Sequence, residues 1–386
     1  MAKRAANGMG TIVQRKDGRY QAAVYVLTVH GTRQRKYVYG KTWEEVNNKR
    51  IELLDNNRKG VPSISSSMKL GDYLDYWLDE IVRVERGAST YSGYEVVVRR
   101  YLKPLLGSRK LNALTPADVR KMLAKLRKME TIHGRTLSAR YVQNVFEVLR
   151  SALNNAVREE LIGRNVTTLV KAPSRDHFEV EPVSAADARR FIRHASEHWL
   201  QALWLVLITT GLRKGEVLGL AWSDINLTTG EFHVRRTVQR VRGQLMFGEP
   251  KTKKSRRVLY LPPVCLAALK THRRDTAERL TEPLNPAPGQ PDDLVFITRT
   301  GRVVEPRNVN TMLDRVLRRA SIDRSRVHDL RHTGATLLLE DGATIREVME
   351  QLGHASITTT ANIYGHVLDQ AKRQMAERMN QLASGN

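Results

Sequence analysis

Two polar, proline-bearing interruptions cut this chain of 386 residues into parts that cannot share one continuous core. Gly60–Ser67 holds Pro62 and four serines around Ile64, and Lys171–Pro182 holds two further prolines. Such stretches end helices and strands alike, because proline lacks an amide donor and fixes φ. Length points the same way, since beyond roughly 250–300 residues a chain divides into domains. Three parts are predicted: 1–60, 68–170 and 180–386.

Each part has its own apolar period. In the first, an Asp17-Gly18 turn separates strands Thr11–Lys16 and Arg19–Thr28, and His30-Gly31 leads into Arg33–Gly40. Thr42, with Glu45 three residues on, caps a helix whose Trp43, Val46 and Ile51 are expected to pack on the sheet. In the second, Leu70, Tyr73, Leu74, Trp77 and Leu78 fall at helical spacing. Thr90–Leu106, a helix opened by Thr115-Pro116, and Ser138–Ile162 stopped by Gly163 complete an all-helical part.

The third part is mixed. Helices Ala185–His198 and Trp199–Thr210 precede a sharp turn at Gly211, and strands follow at Glu231–Thr237 and Arg256–Leu261. Thr281–Asp293 holds four prolines and reads as an exposed loop. Helices resume at Pro306–Ala320, His328–Glu340, Ile345–Leu352 and Thr358–Tyr364. The fold class expected is multidomain α+β: a small three-stranded sheet plus helix, an all-α domain, and a mixed, mainly α domain with a small antiparallel sheet.

Charge narrows the partners. The 64 lysines and arginines against 40 acidic residues leave a net charge of +24 and a pI near 10.3. The surplus is spread, with a net +8 in each of residues 1–60, 61–177 and 178–386. A single basic tail would not give that distribution; a polyanion lying along the whole chain would suit it, and double-stranded nucleic acid is the expected partner. Arg15, Lys16, Arg19, Arg33, Arg35 and Lys36 on the first sheet are candidate groove contacts. Arg99, Arg100, Lys121, Lys125 and Lys128 are either phosphate contacts or a solvated face. Cys265 is the single cysteine, which excludes an intrachain disulfide or a cysteine-based structural zinc site. Without a long apolar run or a signal-peptide core, a cytoplasmic, DNA-associated protein is expected.

Six chemically suggestive residues recur in order through the second half: Arg213 in T-G-L-R-K-G-E, Lys251 in P-K-T-K-K-S-R-R, His328 and Arg331 in H-D-L-R-H, His354 in L-G-H and Tyr364 in T-A-N-I-Y-G-H. Guanidinium groups bind phosphate through paired charge-assisted hydrogen bonds at any pH of use. A lysine in a hairpin could protonate a leaving oxygen, and Lys253 and Lys254 stand near enough to compete with Lys251 for that role. Beyond Pro182 the chain has only Tyr260 and Tyr364, and Tyr260 lies in an apolar strand, so Tyr364 is the candidate nucleophile. His332 is expected to pack or cap. No carboxylate or cysteine cluster accompanies the histidines, so no metal and no cofactor is expected.

These motifs, with the tyrosine ten residues beyond the L-G-H histidine, resemble those of the tyrosine recombinase, or phage integrase, family. The resemblance implies an arm-site DNA-binding module over 1–60, a helical core-site-binding domain over 68–170 and a catalytic domain over 180–386. It implies that Arg213, Arg331 and His354 hold a scissile phosphate, that His328 either moves a proton or holds the phosphate, and that Tyr364 forms a 3′-phosphotyrosine. Glu216 would support an arginine or histidine. Val367, Leu368, Ala371, Met375, Met379 and Leu382 mark an amphipathic tail that folds back or docks on a neighbouring subunit of a DNA-bound tetramer. DNA-bending or excision-directing proteins are possible accessories. Two alternatives share parts of this pattern: a type IB topoisomerase, and a DNA-binding regulator without catalysis.

Overall fold

A computed structural model describes residues 12–27, 33–58, 68–131, 134–174, 183–250, 255–280, 284–323, 325–353, 376–377, 379–381 and 383–384. Lys251, His354, Tyr364, the expected helix Thr358–Tyr364 and most of the amphipathic tail lie outside these residues. The chain divides into two compact units, Met1–His177 and Phe178–Asn386.

The first unit begins with strands Ile12–Gln14, Tyr20–Leu27 and Arg33–Gly40 in one antiparallel sheet, in sequence order. The Asp17-Gly18 turn is as expected, with Gly18 at φ +81° and Arg15 N–H donating to Arg19 O at 2.8 Å. Helix Trp43–Arg58 covers one face, where Ala22, Val24, Val26 and Val46 are buried. Thr42 caps it as expected, its Oγ1 accepting from Glu45 N–H, but the return bond of the box is shifted by one residue, the Glu45 carboxylate accepting from Lys41 N–H. Val46 packs inward, but Trp43 and Ile51 are about half exposed. Ile51 is five residues past Val46, roughly 140° around the helix, so both cannot face the sheet.

Beyond Met68 a second set of buried side chains comes from helices and the loops that join them, with no strand. Leu70–Tyr76 continues into a π-helical stretch, Trp77–Val82, and Ala88–Val97 into another, Val98–Leu102. Thr115 caps Pro116–Lys128 through a reciprocal box with Asp118. Ser138 caps Ala139–Arg158, whose Val142, Val145, Phe146, Leu149, Ala152, Leu153 and Ala156 form the buried stripe. Tyr73 Oη donates to Ala152 O at 2.8 Å, satisfying a hydroxyl inside that core. The long helix stops before Gly163: Glu160 takes φ +55°, and Leu161 N–H turns back to Ala156 O.

The second unit is built around helix Gln201–Thr210, eight of whose ten residues are buried. A helix apolar on every side must be surrounded. Ala185–Ala195, Pro263–Arg279 and Val327–Glu340 pack against it, and Phe191 meets Trp204 edge to face at 6.1 Å. Each such buried side chain contributes about 1.5–3 kcal/mol of transfer free energy. Two small antiparallel pairs lie beside it, Glu231–His233 with Val258–Tyr260 and Thr237–Val241 with Gln244–Gly248. The second pair is a hairpin turning at Arg242-Gly243, both with positive φ, within the segment expected to be one strand and its connection. Helix Pro263–Arg279 was not anticipated either; its polar and apolar residues show little periodic order. Helices Pro306–Arg319, Val327–Glu340 and Ile345–Leu352 fall where the sequence places them.

Candidate active site

The site starts at a reversal of the chain. Gly211 ends helix Gln201–Thr210 in the left-handed region, φ +64°. Glycine suits that φ, and a Cβ there would lie 2.5 Å from Leu352 Cδ2, so a larger residue would also displace that side chain. Leu212 turns into the core, and Arg213 follows at the start of the short helix Lys214–Leu218. Its side chain is 39% exposed.

Glu216 holds Arg213 by both ends. Its Oε1 accepts from Arg213 Nη1 at 2.6 Å and its Oε2 from the Arg213 backbone N–H at 3.1 Å. The same Oε2 accepts from Arg257 Nη2 at 3.1 Å, and the Glu216 and Arg257 side chains are only 3% and 8% exposed. Burial pushes the Glu216 pKa up, but the charges of Arg257 and Arg213 and the hydrogen bonds from Arg213 outweigh it, so the carboxyl is held below its ordinary value. Burial pulls Arg257 down and Glu216 pulls it up; a guanidinium stays charged throughout. Arg257 further donates from Nε to Gln351 O at 2.9 Å and from Nη1 to Ser255 O at 3.0 Å.

Arg331 is a second buried clamp. It is 1% exposed on helix Val327–Glu340 and donates from Nη1 to Gly211 O and from Nη2 to Leu352 O, the latter at 2.7 Å. Leu352 precedes Gly353, whose φ of +66° ends helix Ile345–Leu352, and His354 comes next. One guanidinium thus ties together the turn that presents Arg213 and the turn that leads to His354. Of the two motif residues implied to meet the phosphate from this helix, His328 is exposed and Arg331 is buried. Arg331 is drawn inward because its helix lies hard against Gln201–Thr210, with Gly334 facing Ile208 O so closely that a Cβ would stand 2.1 Å away.

His328 sits in the first turn of that helix, solvent-accessible, with its ring 4.9 Å from the buried His332 and nearly perpendicular to it. The protein packed around it, then the neighbouring His332, Arg331 and Arg213, lower its pKa to about 4. His332 is also lowered, by burial first, and packs as expected. Arg213 and His328 open into one cleft of about 480 Å³, lined also by Lys214, Asn310, Asp314, Ser325 and Arg326. Among the described residues, the structure therefore brings Arg213 and His328 to one cleft, with Glu216 and Arg331 buried and bonded to the turn that carries Arg213. No group of three or more potential metal ligands occurs among the described residues.

The candidate DNA contacts divide by position. Arg35 lies over the Tyr37 ring at 5.3 Å and Arg15 over Tyr39 at 5.5 Å, on the face of the sheet away from the helix. Arg15 and Arg19 both meet Asp17, at 3.7 and 2.8 Å. Lys16, Arg99 and Arg100 are exposed. Lys36 pairs in register with the buried Val24 and is itself half-buried, so it belongs to the helix-covered side rather than the open face. Of Arg33 only the backbone is described, as the first residue of its strand.

Sequence reasoning missed Arg257, Lys214 and the open-face tyrosines Tyr25, Tyr37 and Tyr39. Alternate spacing of Tyr37 and Tyr39 in a strand was a usable signal. Nothing local marks Arg257, whose carboxylate partner is 41 residues upstream.

A buried carboxylate steering one arginine into a cationic cleft, on a mixed α+β scaffold, defines a site for handling anionic groups. The phage integrase family profile matches residues 176–371, and its N-terminal SAM-like domain profile matches 69–127. A tyrosine recombinase XerC-like protein of Caldanaerobacter subterraneus subsp. tengcongensis is 31% identical over 365 residues, covering 90% of this chain and 92% of that protein. In fold, the chain resembles the Tn1549 transposon integrase in complex with a circular intermediate DNA, with a TM-score of 0.68 and 20% identity, over 81% of this chain and all of that one. It also resembles the lambda integrase tetramer bound to a Holliday junction, with a TM-score of 0.55 and 16% identity, over 93% of this chain and 96% of that one.

The chain belongs to the phage integrase family and is a site-specific tyrosine recombinase, an enzyme that recombines DNA. Neither a topoisomerase nor a catalytically inactive regulator is favoured by these likenesses.

Proposed function

We propose that this recombinase breaks and rejoins DNA strands with Tyr364 as nucleophile, to integrate or excise a mobile element. The phenolic oxygen bonds to phosphorus, the bond from phosphorus to the 5′ oxygen breaks, and the products are a 3′-phosphotyrosine and a 5′ hydroxyl. Arg213 and His354 stabilise the two negative charges of the five-coordinate phosphorus at its oxygens, and Arg331 supports them from the interior, by its charge and by tying the Gly211 and Leu352 turns. Lys251, or one of its lysine neighbours, delivers the proton to the 5′ oxygen. His328, whose pKa is lowered to about 4 and which is therefore neutral in the free protein, either holds the phosphate through a ring N–H or takes the phenol proton once the bound phosphate raises its basicity. The linkage keeps the energy of the broken phosphodiester, so reversal onto another strand needs no nucleotide and no metal.

The observation that most supports this reading is the pairing of Arg213 with Glu216, which fixes one guanidinium at the mouth of a cleft shared with His328. The remaining assignments follow the same reading. Residues 1–60, with Arg15, Lys16, Arg19, Arg33 and Arg35, bind arm-type sites; 68–170, with Arg99 and Arg100, bind core-type sites; and 180–386 carry out the chemistry. Four protomers exchange strands between two duplexes, as the lambda integrase tetramer on a Holliday junction suggests. DNA-bending or excision-directing proteins assist, and the enzyme works in the cytoplasm on DNA. No helix among the described residues is long and apolar enough to cross a membrane.

The test is a nicked duplex carrying the core site, recovered by selecting bound duplexes from a random pool. Wild-type protein in a chelating buffer should form a covalent adduct that Tyr364→Phe does not form. An equal adduct in that variant would move the nucleophile elsewhere.

A further inference from the structure

Arg213 and His328 share their cleft with a cation outside the six-residue set. Lys214 follows Arg213, is half-buried, and donates from Nζ to Asn310 Oδ1 at 3.2 Å. Asn310 stands on helix Pro306–Arg319, 96 residues further along the chain, so two separate elements fix the ammonium. An amide oxygen satisfies one donor of a lysine without cancelling its charge. Burial also lowers the pKa of Lys214, which marks a partly desolvated cation whose interaction with an anion is strengthened.

Charge balance shows what that cation is for. Arg213, Arg257 and Glu216 together carry one net positive charge, and Arg331 behind them adds a second. Those two match the two negative charges of a five-coordinate phosphorane. The other two charged groups lining the cleft, Arg326 and Asp314, are opposite in sign and add no net charge. Lys214 is the surplus. A cation beside a saturated phosphate site, opening into the same cleft of about 480 Å³, suits a second phosphodiester.

We propose that Lys214, steadied by Asn310, is a positioning residue that holds the DNA phosphate next to the scissile one on the cleaved strand. This rests on the catalytic reading above. By fixing the strand on one side of the reacting phosphorus, Lys214 sets its approach to the nucleophile without touching the reacting atoms.

The experiment uses full-length protein and the nicked core-site duplex, with the phosphates flanking the scissile one replaced singly by neutral methylphosphonate. Adduct formation by wild-type protein on unmodified DNA establishes the catalytic reading independently; its absence overturns that reading and this inference with it. Lys214→Gln should slow adduct formation about tenfold while Lys214→Arg restores most of the rate. Its DNA binding should depend less steeply on salt, by about one unit of logarithmic slope. At one flanking position, methylphosphonate should slow wild-type protein but give no further slowing in Lys214→Gln. Two results overturn the proposal: wild-type rates in Lys214→Gln, or equal slowing of both proteins at every flanking position. Lys214→Arg and an unchanged unfolding midpoint for Lys214→Gln separate loss of the contact from loss of the fold.

Discussion

Glu216 and Arg257 form an ion pair at 3.1 Å with both side chains almost wholly buried, and Arg213 is hydrogen-bonded to the open side of the same carboxylate. Removing one member of a buried pair strands the other charge in low dielectric, which costs about 3–5 kcal/mol. Glu216→Gln and Arg257→Met should each lower stability by about that much in urea denaturation. The double variant should be less destabilised than the sum, because neither charge is left alone. Additive losses would show that the two side chains act independently.

Arg331 acts through two carbonyls that belong to different turns. A lysine has one ammonium and cannot reach both with a planar fork. Arg331→Lys should therefore cost about 2–3 kcal/mol, the price of a broken buried charged hydrogen bond. It should also reduce adduct formation by at least about a hundredfold through misplacement of both turns. Unchanged activity with unchanged stability would refute the clamp.

Gly334 and Gly93 give a paired test of helix packing. A Cβ on Gly334 would stand 2.1 Å from Ile208 O, a rigid backbone atom, whereas a Cβ on Gly93 meets nothing within 4 Å. Gly334→Ala should destabilise by about 2 kcal/mol or more, by forcing two helices apart. Gly93→Ala should stabilise by about 0.5–1 kcal/mol, because alanine loses less backbone entropy in a helix. Thermal unfolding of the two variants decides the matter.

His328 supplies a pH prediction. Its folded pKa of about 4 lies below the ordinary 6.5, so the unfolded chain binds more protons between those values. Stability is then present above pH 6.5 and lost as pH falls toward 4, and the buried His332 acts in the same direction. Urea midpoints measured from pH 7.5 to 4.5 should fall, and His328→Gln should flatten part of that fall. In an NMR titration the His328 ring should titrate near 4 in free protein and higher once a DNA phosphate occupies the cleft.

Much of this was legible from the sequence, for local reasons. The Asp17-Gly18 turn, the Thr115 cap and the turn at Gly211 depend on neighbouring residues, so pattern found them. The motif arginine at 213 was placed at a turn because Gly211 marks one. The misses are contacts set by tertiary packing. Arg331 reads as an open phosphate ligand until the approach of two helices buries it. Trp43 and Ile51 read as core until the register of their helix on the sheet is known. Arg257 finds its partners across the fold, at Glu216 and Gln351, and Lys36 turns to the covered side because strand pairing sets it opposite Val24. The aromatic face of the first sheet was hidden by attention to charge alone.

Covalent chemistry at Tyr364 is what makes this chain a recombinase rather than a DNA-binding protein. The most direct measurement is mass spectrometry of the adduct trapped on the nicked core-site duplex in chelating buffer, after digestion of protein and DNA. The predicted result is a nucleotide joined through its 3′ phosphate to the peptide containing Tyr364, with the 5′ hydroxyl left on the released strand. A nucleotide on any other residue, or a 5′-phosphate end on the released strand, would contradict it.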